Sequence, residues 1–162
     1  MGGAAMAPLD DLLAAGDEIA NHWSEQRAER QARRALDPAD FAQLADAGFL
    51  RAAVPEELGG TWTDVPTSAR PLCQFLRRLA GADSSVALVS AMHPAVLSFW
   101  LASPDPDQPE WETQRRAVLS TANDGTQWGT VTSEPGSGGD IARTRTVATP
   151  TAAPAGSAAP AD

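Results

Sequence analysis

The sequence predicts a mainly α chain, a helical domain followed by the first strand or strands of a β domain. Three observations lead there. Apolar residues recur at helical spacing in successive segments as far as Ala122, and Pro and Gly punctuate those segments at starts and stops. Beyond Asn123-Asp124-Gly125 the composition shifts to Thr and Val, which suit a pleated backbone.

Leu9, Leu12, Leu13, Ile19, Ala20 and Trp23 share one face, with Asp10, Asp11, Asp17 and Glu18 early, where the helix dipole favours acids. The spacing predicts a long amphipathic first helix ending near Ala35. Asp37-Pro38 reads as N-cap and first helical residue of a second helix, with Phe41, Leu44 and Ala45 as its buried stripe and Gly48 as its stop. Arg51 to Val65 holds Pro55 and the Gly59-Gly60 pair but little apolar periodicity, so it reads as an extended, ordered loop. A third helix is expected from about Thr67 to Ala80 through Leu72, Phe75, Leu76 and Leu79, ended by Gly81, with Asp83 or Ser84 capping the next. That fourth helix is apolar almost all round, from Val86 to Trp100, and is expected inside the domain. Pro104, Pro106 and Pro109 stiffen a linker, a fifth, more polar helix runs from about Glu110 to Ala122, and Asn123-Asp124-Gly125 turns into the strand. The domain division expected is 1–36 for the long first helix, 37–125 for the remaining helices, 126–148 for the start of the β domain, and 149–162 for a disordered Ala/Pro-rich tail without large apolar side chains.

Charge and composition narrow the partners. A net charge of −9 argues against nucleic acid, whose binding rests on Lys and Arg neutralising phosphates. Arg27, Arg30, Arg33 and Arg34 are offset by Glu25 and Glu29 at helical spacing and read as a solvated helix face. The single cysteine, Cys73, has no internal disulfide partner and, next to Leu72 and Phe75, reads as a small buried hydrophobe. Ser84 to Leu101 is the most apolar window, yet His93 and Pro94 near its centre favour a core helix over a membrane span. His22 and His93 are isolated from other ligand types, so no metal site is expected. The start of the chain lacks a basic segment followed by an apolar one, which points to the cytoplasm.

The segment with chemical content is Thr132-Ser133-Glu134-Pro135-Gly136-Ser137-Gly138-Gly139-Asp140. Gly136, Gly138 and Gly139 remove side-chain bulk and permit positive φ, so that consecutive backbone N–H groups can face an anionic or carbonyl-bearing ligand. A Pro-Gly-Ser-Gly-Gly run is also a common surface turn. Its context favours the ligand. The segment resembles the Thr-Glu-Pro-Gly-x-Gly-Ser-Asp signature of the acyl-CoA dehydrogenase family, and upstream Phe41–Leu50, Val54-Pro-Glu-Glu-Leu-Gly-Gly60 and Leu79–Leu88 resemble further family blocks in the same order.

That resemblance implies an FAD-dependent oxidoreductase that desaturates an acyl-CoA thioester. It also implies that the chain carries the helical N-terminal domain and only the start of the middle β domain, as a fragment without activity of its own. Thr132 and Ser133 stand where the family meets the flavin pyrimidine edge, and Gly138 and Gly139 where it meets the pyrophosphate. Gly139 replaces the usual Ser, which removes a hydroxyl. His93 is either a satisfied core histidine or a lining residue of the substrate pocket. Asp140 is expected to order the loop through local N–H bonds. No catalytic residue is assignable, since the family's base is expected beyond Asp162. Complete relatives are homo-oligomers. Two alternatives stay open: a flavin-dependent monooxygenase of the same fold using reduced FMN, and a non-catalytic helical interaction module.

Overall fold

Short apolar stripes on polar helices have to be buried against one another, and here they meet around a few aromatic rings. The computed structural model describes residues 8–102, 109–130, 134, 136, 140–147 and 149. They form α1 (Pro8–Glu25), α2 (Arg27–Ala32), α3 (Pro38–Asp46), α4 (Arg70–Ala82), α5 (Ser84–Leu101) and α6 (Pro109–Thr121), with no strand among them. Two units are separable, Met1–Thr130 and Val131–Asp162.

In the first unit α1 packs along α4, α4 along α5, and α5 against α6 and α3. Trp23, Leu44, Phe49, Val54, Phe75, Leu79, Leu97 and Leu119 are the large side chains sealed in this core. Phe49 and Phe75 stack with centroids 5.1 Å apart. Gly16 lets α1 approach that pair, because a Cβ there would lie 2.5 Å from the Phe75 ring. Arg78 fastens the same helix pair by donating to the Leu13 carbonyl at 2.9 Å and pairing with Asp17 at 3.0 Å.

The first helix breaks at Gln26 instead of continuing to Ala35. Its second piece carries Arg30 into the protein, where the guanidinium lies 4.2 Å above the Trp23 ring and binds Asp40 through both terminal nitrogens, at 2.9 and 2.8 Å. Nε donates to Asp83 at 3.0 Å. Arg30 is therefore a buried junction of α2, α3 and the α4–α5 turn, and the solvated face expected of the basic cluster belongs to its neighbours, such as Arg33 with Glu29. Burial opposes the charge on Arg30, but the Asp40 and Asp83 carboxylates outweigh it and raise its pKa.

Asp37 and Pro38 start α3 as expected, with the Asp37 carboxylate accepting from Ala39 N at 2.9 Å. The loop that follows is built from two single turns, Phe49–Arg51 and Glu56–Leu58, closed by a bridge between Pro55 and Trp62. Gly59 takes φ +85°, the left-handed conformation that a turn here requires. Gly60 is needed for space: a Cβ would sit 1.9 Å from the Val54 carbonyl oxygen, which accepts from Trp62 N. Gly60→Ala is expected to cost about 1–3 kcal/mol in thermal unfolding. Gly81→Ala, in the last turn of α4 with open space around it, is expected to be neutral or slightly stabilising.

A wide helical turn, Val65–Ala69, precedes α4, which runs through Gly81 to Ala82. Asp83 ends α4 and caps α5, accepting from the amides of Ser85 and Val86. Gly81 therefore lies within the helix, and its carbonyl accepts from Arg27 at 2.8 Å. Cys73 is exposed rather than buried, because it lies off the Leu72, Phe75 and Leu79 stripe that faces the core.

α5 is less enclosed than its composition predicts. It buries Val86, Ala87, Ser90, His93, Pro94, Val96 and Leu97, but Leu88 is 66% and Phe99 68% exposed. It is long and apolar enough to cross a membrane on those two criteria alone. Trp100 stacks on Trp111 of α6 at 4.6 Å, which is helix packing between aromatic faces.

Candidate functional site

The sequence-predicted site residues fall into the two units, and each unit is described on its own. In the first, His93 occupies the buried face of α5, one residue before Pro94. Pro94 has no N–H, so the Ser90 carbonyl loses its helical donor at this point. The Ser90 hydroxyl, also sealed, has no hydrogen-bond partner among the described residues.

His93 itself is fully satisfied. Its Nε2–H donates to the Leu50 carbonyl at 2.8 Å, and its Nδ1 accepts from the Trp128 backbone N–H at 3.0 Å. A nitrogen that receives a donor carries no proton, so these partners assign the neutral Nε2–H tautomer. Burial lowers the His93 pKa, against the opposing effect of the Leu50 carbonyl. The ring thus joins the Phe49–Arg51 turn, α5 and the segment leaving α6. Trp128 is fixed a second time where its indole N–H donates to Thr121 Oγ1 at 2.9 Å.

Both imidazole nitrogens are used by the chain, so this geometry gives His93 a positioning role over Trp128 and directs neither nitrogen at a ligand. An open, apolar groove lies beside it, lined by Phe41, Val89, Met92, Gln127, Trp128 and Gly129. No ionisable group lines it, which suits an aliphatic or flat aromatic moiety and provides no acid or base. The role of Trp128 has no signature in the sequence, because it is the main-chain amide that matters.

In the second unit Thr132, Ser133, Gly138 and Gly139 lie outside the described residues. What flanks them is described. Asp140 accepts from Ala142 N at 3.0 Å and its carbonyl from Arg143 N at 3.0 Å, which folds Ile141–Arg143 into one turn. Gly136 has φ +91°, a conformation open to glycine. The Glu134 carboxylate accepts from the backbone N–H groups of Arg145 and Thr146 and from the Thr146 hydroxyl. The Thr146 hydroxyl first, and then those two amides, hold the Glu134 carboxyl below the usual range. A cleft is lined by Glu134, Gly136, Ala142, Arg143, Thr144 and Arg145. Sequence reasoning missed the Glu134 contacts, since an acid and its donor amides eleven and twelve residues on have no helical or strand register to betray them.

No group of three or more metal-ligand side chains occurs among the described residues. Against known families, residues 13–103 match the domain described as Acyl-CoA dehydrogenase, N-terminal domain. No curated protein and no solved structure is significantly similar to the chain. The matched region runs from α1 to just past α5 and includes the Arg30 junction, the Gly59-Gly60 turn and His93. With more than half of its length matched and the same stretch forming the helical unit, the chain belongs to the acyl-CoA dehydrogenase family through that N-terminal domain.

Proposed function

We propose that the chain supplies the helical domain and the first cofactor loop of an FAD-dependent oxidoreductase acting on acyl-CoA thioesters. One observation carries the reading. Downstream of a family N-terminal domain matched over residues 13–103, and after α6, the chain continues into Thr132-Ser133-Glu134-Pro135-Gly136-Ser137-Gly138-Gly139-Asp140, and its three glycines suit main-chain contact with a diphosphate. Thr132 and Ser133 would meet the flavin pyrimidine edge, and Gly138 and Gly139 the diphosphate. The described flank fits an anionic group: Arg143 and Arg145 line the cleft with Gly136, while the Glu134 carboxylate is turned to backbone donors.

The flavin supplies hydride chemistry when bound. The residues of this chain bind and orient. His93 holds the Trp128 amide, and the apolar groove formed with Phe41, Val89 and Met92 offers an acyl chain a dry surface. Nothing there removes a proton from the α-carbon of a thioester: Glu134 is held in its charged form by hydrogen bonds, and Glu56 and Glu57 belong to the turn before Gly59. A flavin monooxygenase would need the same loop, so it remains the second chemistry of this site, with reduced FMN as its cofactor. The cytoplasm is the compartment we propose, with homo-oligomers as the assembled state.

Mixing the chain with FAD and an acyl-CoA under anaerobic conditions tests the cofactor and the part the chain plays in proton removal. The flavin absorption spectrum is expected to be perturbed by binding but not bleached, because no carboxylate lines the apolar groove. Bleaching by acyl-CoA would overturn the assignment of the groove as a binding surface without a base, and an unperturbed flavin would overturn the cofactor.

A further inference from the structure

We propose that the exposed face of α5 docks on the same face of a second copy of this chain, with the two helices running antiparallel. The inference does not rest on the flavin reading. Leu88, Met92, Ala95 and Phe99 follow one another at intervals of four, three and four residues, the spacing of a coiled-coil seam. Leu88, Ala95 and Phe99 are exposed and Met92 is half-buried, while Val86, Ser90, His93 and Leu97 take the opposite side of the helix into the core. The helix bears no charged side chain from Ser84 to Leu101, so nothing along the seam repels a copy of itself.

Charge at the two ends of the seam favours a second copy over other apolar occupants. At the start of α5, Arg34 lines a cleft with Ser85 and Val86. At its end, Glu110 precedes Trp111, whose ring stacks on Trp100 at 4.6 Å. Arg34 and Glu110 are both exposed and form no ion pair among the described residues, whereas their neighbours Arg33 and Glu112 are already paired. In an antiparallel pair Leu88 meets the partner's Phe99, Met92 meets the partner's Ala95, and Arg34 of each copy comes to Glu110 of the other. A twofold axis repeats each contact. A parallel pair would instead set Arg34 against Arg34 and Glu110 against Glu110, so the charges select the antiparallel arrangement, which also opposes the two helix dipoles. One helical seam buries less than the roughly 800 Å² per partner of a standard interface. The dimer is therefore weak, with a dissociation constant on the order of tens of micromolar. Met92 also lines the apolar groove, so the partner helix would flank it.

Sedimentation velocity on the whole chain at low ionic strength, from about 5 to about 500 µM, tests the proposal. The parent chain is expected to pass from monomer to dimer across that range. Leu88→Gln and Phe99→Gln, both at exposed positions, should each weaken the dimer about tenfold. An unchanged urea midpoint in these variants shows that α5 still packs. Arg34→Glu should weaken the dimer about fivefold, and Glu110→Arg likewise. The two together should restore it, because each pair is then remade with its signs exchanged. A parent chain that stays monomeric throughout overturns the proposal. So does a dimer indifferent to Leu88→Gln and Phe99→Gln, which places the contact elsewhere. Failure of the double charge exchange to recover what each single change loses overturns the antiparallel arrangement. A monomeric chain that floats with phosphatidylcholine vesicles, and ceases to in Phe99→Gln, overturns the second copy in favour of a lipid surface.

Discussion

Arg30→Met is expected to destabilise the helical unit by about 3–5 kcal/mol, because it breaks a buried ion pair. The reason is what it leaves behind. The Asp40 side chain is 6% and that of Asp83 15% exposed, and Arg30 supplies three charge-assisted hydrogen bonds to the pair. Methionine would fill much of the volume over Trp23 but would strand two carboxylates. Arg33, at 3.3 Å from Asp40 and partly open to water, compensates only in part. Arg33→Met should therefore cost no more than about 1 kcal/mol, as exposed ion pairs do. Arg30→Met with Asp40→Leu should recover part of the loss, because both partners are then apolar and Asp83 keeps its bonds to the Ser85 and Val86 amides. Urea unfolding of the four proteins measures all of this.

His93→Leu is expected to cost about 3 kcal/mol, since it orphans the Leu50 carbonyl and the Trp128 amide, and the loss should have a pH signature. The pKa of His93 is lowered in the folded chain, so between that value and the ordinary 6.5 the unfolded chain binds the extra proton. Stability must then rise with pH in that interval and level off above about 6.5. Read downward, the His93 contribution is whole at neutral pH and is lost as pH falls below about 6.5. Protonating Nδ1 would also break the bond from Trp128 N. Urea midpoints of the parent chain and of His93→Gln, followed from neutral pH to about pH 5, should differ in slope, with the shallower dependence in the glutamine variant. Parallel slopes would contradict the buried neutral tautomer.

The helices were legible because their signals are local. Asp37-Pro38 and Asp83 announce caps, and Leu72, Phe75 and Leu79 announce a face, without reference to anything distant. Arg30 was not legible: its spacing with Glu29 and Arg33 fits a solvated helix face, while the partners that bury it, Asp40 and Asp83, lie ten and fifty-three residues on. Composition also misjudged α5, because an almost uniformly apolar helix does not say how much of itself its own unit can cover, and Leu88 and Phe99 remain outside. Cys73 failed for the opposite reason, judged from its neighbours in sequence when the helical turn sends it away from them. At the candidate site the glycine motif and His93 were visible as residue types. The partners of His93 and of Glu134 were not, because the Trp128 and Arg145 contacts, and one of the two from Thr146, are made by main-chain amides, which every sequence contains.

The most direct test of the account is to map, amide by amide, where FAD touches the isotope-labelled chain in solution. Saturable shifts confined to the amides from Thr132 to Asp140, with those of α1 and α4 unmoved, are the expected result. Saturating FAD that leaves the Ser133, Gly136, Gly138 and Gly139 amides unshifted would contradict the claim that this loop holds a flavin nucleotide.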